Sequence, residues 1–149
     1  MNLQEAKLNE AADMPAGFVC RGANVGEALG RELIGCGLYE VHPGEQLWPY
    51  HYHLGNEEWA IVVAGEPTVR TPDGERRLRP GDIVAFAKGE DGAHTFFNRT
   101  EELARVAIFS TLNSQTLPVY PDSGKVGAAG HLFRLADAVD YWDGEESGA

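Results

Sequence analysis

The sequence predicts an all-β domain closed into a small barrel, on three observations. Short runs rich in β-branched and aromatic residues are separated by turn signals every several residues, the pattern of a sandwich or barrel and not of βαβ units. Eighteen glycines and eight prolines supply many turns. Third, His51-Tyr52-His53 places two imidazoles two residues apart, a spacing that shares one face only on a strand. At 149 residues the chain is long enough for a substantial core. We expect a single domain over 1–149, with the barrel core at about 33–112, an N-terminal arm over 1–32 and an irregular tail over 113–149.

Residues 1–16 are polar and read as a lead-in arm or a short irregular helix. Phe18 to Gly22 is a first strand, and Asn24 to Gly30 a Gly-rich loop. Leu33 to Val41 has strand character and ends at the Pro43-Gly44 turn. Glu45 to Tyr50 leads to the histidines. Glu58 to Ala64 is a strand ended by Gly65-Glu66-Pro67. Pro67 to Arg70 and Glu75 to Arg79 flank Thr71-Pro72-Asp73-Gly74, a hairpin whose arginines read as solvated. After the Pro80-Gly81-Asp82 turn, Ile83 to Ala87 reads as a buried strand, and Lys88 to Ala93 as a loop delivering His94. Thr95 to Asn98 and Ala104 to Thr111 are further strands. Leu117 to Gly127 reads as an ordered extended loop, His131 to Leu135 as an edge strand, Ala136 to Trp142 as a helical turn, and Gly144 to Ala149 as frayed.

The chemistry concentrates at residues 51–58. Two residues of strand span roughly 6–7 Å, so two inward imidazoles can share one ion at about 2.0–2.1 Å per bond. A helix needs i and i+4 for such a pair, and Pro49 argues against a helix here. Leu54 to Glu57 can turn the chain back beside the first strand and bring Glu58 close to the histidine pair. An isolated His-x-His is also common in polar residues with no joint task. The strand-initiating Glu58 and the later His94 are what favour a metal site.

Lys and Arg number 12 against 23 Asp and Glu, a net charge of −11. That disfavours nucleic acid and anionic membrane surfaces, since both need a basic face. No apolar run approaches the ~20 residues of a membrane helix, and the first seven residues lack a basic-then-apolar signal pattern. Cytoplasmic residence is the expectation, with Cys20 and Cys36 as free thiols. Neither a GxxxxGK[ST] nor a GxGxxG phosphate loop occurs, so no organic cofactor is expected. No catalytic residue can be assigned.

These residues resemble the cupin superfamily of double-stranded β-helix, or jelly-roll, barrels. Gly44 precedes His51-Tyr52-His53; Glu58 follows after four residues and Gly65 after six more. A second motif runs through Gly81, then Ala87-Lys88-Gly89, His94 and Asn98. The match covers 44–98 with three departures, each expected in a loop: an extra residue between Gly44 and His51, Ala87 where proline is usual, and two extra residues between Gly89 and His94. The segment 120–127 resembles a subgroup of stand-alone bacterial cupins without an assigned reaction.

The resemblance implies that His51, His53, Glu58 and His94 ligate one divalent transition metal, Fe, Mn, Ni, Cu or Zn, inside the barrel. Strand alternation reaches the first three independently; His94 rests mainly on the resemblance. Mixed N/O donors do not select strongly among these ions. A six-coordinate ion would leave two positions for water or substrate. The implied roles are a metal-dependent oxygenase, decarboxylase, isomerase or lyase acting on a small polar or carbonyl-bearing molecule. A non-catalytic small-ligand binding or sensing protein is the alternative, and storage or scaffold a third. A homodimer is also implied.

Beyond the quartet, Phe96 shares the parity of His94 and is a candidate pocket-lining residue, with core packing the plain alternative. Asn98 is a candidate hydrogen-bonding support, or a strand-end residue. Tyr50 and Tyr52 have the opposite parity and are expected on the outer face or at a subunit contact. Trp48 and Trp59 are expected as core or interface anchors, Glu57 as a solvated charge, His42 and His131 as surface or satisfied histidines. Lys125 is an outside candidate for an anionic ligand.

Overall fold

Short alternating runs form a two-sheet barrel in the computed structural model, which describes residues 1–10, 14–18 and 21–148. In chain order these are β1 (Asn9–Glu10), β2 (Arg21–Asn24), α1 (Val25–Ala28), β3 (Ile34–Val41), β4 (Gln46–His53), β5 (Glu58–Ala64), β6 (Thr68–Thr71), β7 (Gly74–Arg77), β8 (Ile83–Phe86), β9 (His94–Phe97), β10 (Ala104–Thr111), β11 (Pro118–Tyr120), β12 (Lys125–Ala128) and β13 (His131–Arg134). One sheet has the order β1-β2-β3-β10-β5-β8; the facing sheet runs β13-β12-β11-β4-β9-β6-β7. Every pairing between these strands is antiparallel. The all-β jelly roll expected from the sequence is the fold observed.

Side chains two apart on a strand face the same way, and the inward rows change character along the barrel. On β5 the row runs Glu58, Ala60, Val62; on β9 it runs His94, Phe96; on β10 it runs Ser110, Ile108, Val106, Ala104. One end is therefore packed by Val41, Leu47, Val62, Val69, Leu78, Phe96 and Val106, all essentially inaccessible. The other end carries the polar members of the same rows.

Two flanking segments cover the barrel's outer faces. Val25, Leu38 and Ala107 are buried under Leu3, Ala6 and Leu8 of the N-terminal arm. Arg105 holds that arm by donating to the carbonyl oxygens of Leu3 at 3.0 Å and Gln4 at 2.6 Å, and pairs with the buried Glu40, which also faces Arg21 at 3.5 Å. Tyr50 and Tyr52 do lie on the outer face, yet they are buried there with Ala93 under Val119 and Val126 of the C-terminal tail. Among the described residues, no helix is long and apolar enough to cross a membrane.

Several sequence expectations need correction. Asn24–Gly30 is not all loop: Asn24 caps one helical turn, accepting from Glu27 N at 3.0 Å while its side-chain nitrogen donates to the Glu27 carboxylate at 2.9 Å. The first strand begins at Arg21; Phe18 makes an isolated bridge to Gln46, and Val19 and Cys20 lie outside the described residues. β8 is an edge strand with Ile83 56% exposed, so only its alternate residues are buried. The expected extended loop at 117–127 is the β11–β12 hairpin, whose β11 pairs with β4. Residues 54–57 do not return the chain beside β4. They carry it across to the facing sheet, where β5 pairs with β8 and β10.

Candidate metal centre

β4 and β9 are paired at Leu47–Phe96 and again at His51–His94. Four steps along β4 thus match two along β9, a bulge with two extra residues. Because the insertion is even, Leu47 and His51 keep the same facing; an odd one would turn the histidines outward. Trp48, inside the bulge, has φ +57°, a left-handed conformation rare for a bulky residue. Buried Thr95 clamps it, its hydroxyl lying 2.9 Å from Leu47 O and 2.8 Å from Trp48 O. Gln46 Nε2 donates to Trp48 O at 2.9 Å and to Thr95 Oγ1 at 3.1 Å. The stretch between Gly44 and His51 is therefore mostly bulged strand and not the loop expected from the motif spacing. Nothing in the composition singled out Thr95.

His51 and His53 come from β4 and His94 from β9, while Glu58 reaches them from the facing sheet. His51, His53 and Glu58 each offer a donor atom within 4.8 Å of the others. Glu58 Oε2 is 3.5 Å from His53 Nε2 and 3.5 Å from His94 Nε2. The His51 ring centroid lies 5.1 Å from that of His53 and 4.9 Å from that of His94. His94 is thus next to the trio, sharing its carboxylate oxygen, though it is not a member of the mutually close set.

The backbone fixes which nitrogens are free. His51 Nδ1 lies 2.8 Å from Pro49 O, and His94 Nδ1 2.9 Å from Gly92 O. A proton on each Nδ1 satisfies those carbonyls and leaves the Nε2 lone pair toward Glu58. Gly92 is required for this support, because a Cβ there would sit 1.7 Å from Ala87 O. The expected 88–93 loop includes a 3₁₀ turn over Glu90–Gly92 that makes this approach. His53 Nδ1 is buried without a hydrogen-bond partner.

Burial keeps all three imidazoles neutral at physiological pH. His94 is lowered to about 3, first by burial and then by the neighbouring His51, against the Gly92 hydrogen bond. Burial also lowers His51 and His53. Burial raises Glu58, while His51 and the Ser110 hydroxyl pull it back. Three neutral nitrogen lone pairs and one carboxylate oxygen fit a divalent transition ion.

The centre opens into a cavity of about 320 Å³ whose other walls include Tyr39, Trp48, Ile108, Pro118 and Tyr120. Tyr120 stacks on His51 with centroids 5.9 Å apart. Lys125 Nζ lies 5.6 Å from the Tyr120 ring centroid. Trp48 packs against the barrel core as expected and is also a wall of this cavity, set edge-on to Tyr39. Trp59 is half exposed, its indole nitrogen donating to the exposed Glu57 at 2.8 Å. Phe96 is buried in the core, with its ring edge-on to His94. Asn98 is buried too, donating to Val41 O at 2.8 Å and Glu102 O at 2.7 Å. Neither Phe96 nor Asn98 belongs to the cavity wall.

Residues 37–110 match the sequence model of the cupin domain family. The chain superposes on a putative sugar phosphate isomerase from Acidithiobacillus ferrooxidans with a TM-score of 0.81 and 24% identity, covering 93% of this chain and 91% of that one. A sugar phosphate isomerase of the cupin superfamily from Silicibacter pomeroyi gives a TM-score of 0.78 and 23% identity, over 96% and 97% of the two chains. At these identities the likeness is one of fold. A curated relative, nitrile hydratase subunit beta of a Rhodococcus species, is 31% identical over 87 residues, 56% of this chain. The chain spans 36% of that relative's length.

Proposed function

The chain belongs to the cupin superfamily, and we propose that it is a metal-dependent enzyme acting on a small polar or carbonyl-bearing metabolite. One observation carries this reading: three neutral imidazoles, two held by backbone carbonyls at Nδ1, converge with Glu58 on the wall of a cavity. In it, His51, His53, Glu58 and His94 hold one divalent transition ion, and that ion, when bound, supplies Lewis-acid polarisation of a substrate oxygen. Trp48, Tyr39 and Ile108 exclude water around the substrate. Tyr120, whose phenol burial pushes up, stays protonated and can donate to a substrate oxygen. The isomerase names of the two structural neighbours favour a carbonyl-bearing sugar among the possible metabolites. We place the protein in the cytoplasm as a homodimer. The exposed Leu132, Phe133 and Leu135 at the β13 edge support association of two copies.

A second reading, a non-catalytic binding or sensing protein, has its own support. Apart from the quartet, the polar side-chain groups among the described residues of this cavity wall are the phenols of Tyr39 and Tyr120 and the indole N–H of Trp48, none of them a ready general base. Elemental analysis of protein purified without chelators tests the metal site, with about one transition ion per chain expected. A panel of isomerisation, oxidation and decarboxylation assays separates the two functions. Turnover is expected. Thermal stabilisation by a metabolite without turnover selects the binding reading, and less than a tenth of an ion per chain defeats the metal-dependent enzyme.

A further inference from the structure

The space at the metal centre does not end at its own walls. A second cavity of about 460 Å³ adjoins it, and Tyr39, Trp48, Glu58 and Ile108 line both. Gly35 and Gly37 of the inward row of β3 line this second cavity; the Tyr39 ring folds over Gly37, and Leu112 and Arg31 approach Gly35. Glu58, Ser110 and Gly35 form one cross-strand row over β5, β10 and β3. Two strand spacings of about 4.8 Å put the β3 end of that row roughly 10 Å from the Glu58 backbone.

Arg31 lies at that far end. It follows α1, with its backbone nitrogen donating to Gly26 O at 2.9 Å. Its side chain crosses two glycines: a Cβ on Gly26 would come 3.1 Å from Arg31 Cδ, and one on Gly35 would come 3.6 Å from Arg31 Nη1. Among the described residues, Arg31 is the one Lys or Arg that lines either cavity. Its exposed guanidinium has no carboxylate partner among them, a state shared with Arg76, Arg79 and Arg134, which line neither cavity at the centre. Glu10, the other charged side chain toward this end, lies 3.7 Å from Arg21.

We propose that Arg31 anchors an anionic group of the ligand, so that the substrate class is an anionic metabolite with its oxygen-bearing reactive end at Glu58 and the imidazoles and its oxyanion toward the β3 end of the adjoining cavity. A guanidinium fork matches phosphate and carboxylate alike. This rests on the metal-centre reading for the position of the reactive end; the Arg31 contact itself is tested separately.

Calorimetry on the metal-loaded protein with fructose, fructose 6-phosphate and gluconate makes the test. The phosphorylated sugar is expected to bind at least tenfold tighter than fructose. Arg31→Gln should abolish that preference and Arg31→Lys retain part of it, with metal content unchanged in both. Gluconate losing more affinity than the phosphorylated sugar in Arg31→Gln would assign the oxyanion as carboxylate. Equal affinity of the wild type for all three, or a preference that survives Arg31→Gln, overturns the inference while leaving the metal measurement to stand alone.

Discussion

The two ends of the barrel are built from the same strands and behave as opposites. Along β5, β9 and β10 a single alternation supplies Val62, Phe96 and Val106 to one end and Glu58, His94 and Ser110 to the other. The apolar end is held by burial, which is non-directional and tolerates replacement of similar volume. The polar end depends on hydrogen-bond geometry: the Thr95 clamp on the bulge, and the Pro49 and Gly92 carbonyls at the two Nδ1 atoms. One end therefore stabilises the fold, and the other uses that rigidity to hold four side chains that would not gather in a loose barrel.

The largest expected contrast is His94→Ala, which should lower metal affinity at least a hundredfold, read by elemental analysis and metal titration. Stability of the metal-free protein should change far less than affinity does; comparable losses of both would erase the distinction between the ends. Phe96→Ala should do the reverse. It empties a fully buried site, which costs about 3–5 kcal/mol in urea unfolding, while metal stoichiometry stays near one.

Thr95→Val keeps the shape and removes the hydroxyl that meets two carbonyl oxygens, leaving buried acceptors short of a donor. A loss of about 1–3 kcal/mol follows, together with weaker metal binding as the bulge relaxes. Unchanged metal affinity in that variant would show that the ends are independent even where they share a strand.

A further effect is on pH. The metal-free protein holds His94 neutral with a pKa of about 3 against about 6.5 when unfolded. The unfolded chain therefore binds more protons between those values. This contribution is complete above about pH 6.5 and is lost as pH falls toward 3. Raised Glu58 works the other way, taking up a proton more readily when folded. A thermal melting series from pH 7 to 4 should show a net decline, one that His94→Ala flattens.

The apolar end was largely legible in the sequence, since β5 and β10 begin and end where alternation and flanking turns put them. The pairing of His51 with His53 was legible from parity alone. Other features were hidden for physical reasons. Pro118 and Pro121 remove backbone donors and disguised the β11–β12 hairpin as a loop. The α1 turn had a signal, Asn24 three residues before Glu27, that the surrounding glycines masked. The left-handed Trp48 follows from tertiary contacts with Thr95 and Gln46, which local sequence does not encode. Arg31 gave no sign at all, because its importance comes from lining a space bordered by residues of β3.

The extra pair of residues at Trp48 and Pro49 limits how such a chain can change length. Removing one of them reverses the sidedness of everything from Tyr50 onward, presenting tyrosines to the interior and imidazoles to the tail hairpin. Taking out both restores the order and narrows the entrance instead. Insertions and deletions in this segment should therefore survive selection two at a time, keeping the imidazoles inward even where the wall at Trp48 and the carbonyl beneath His51 change.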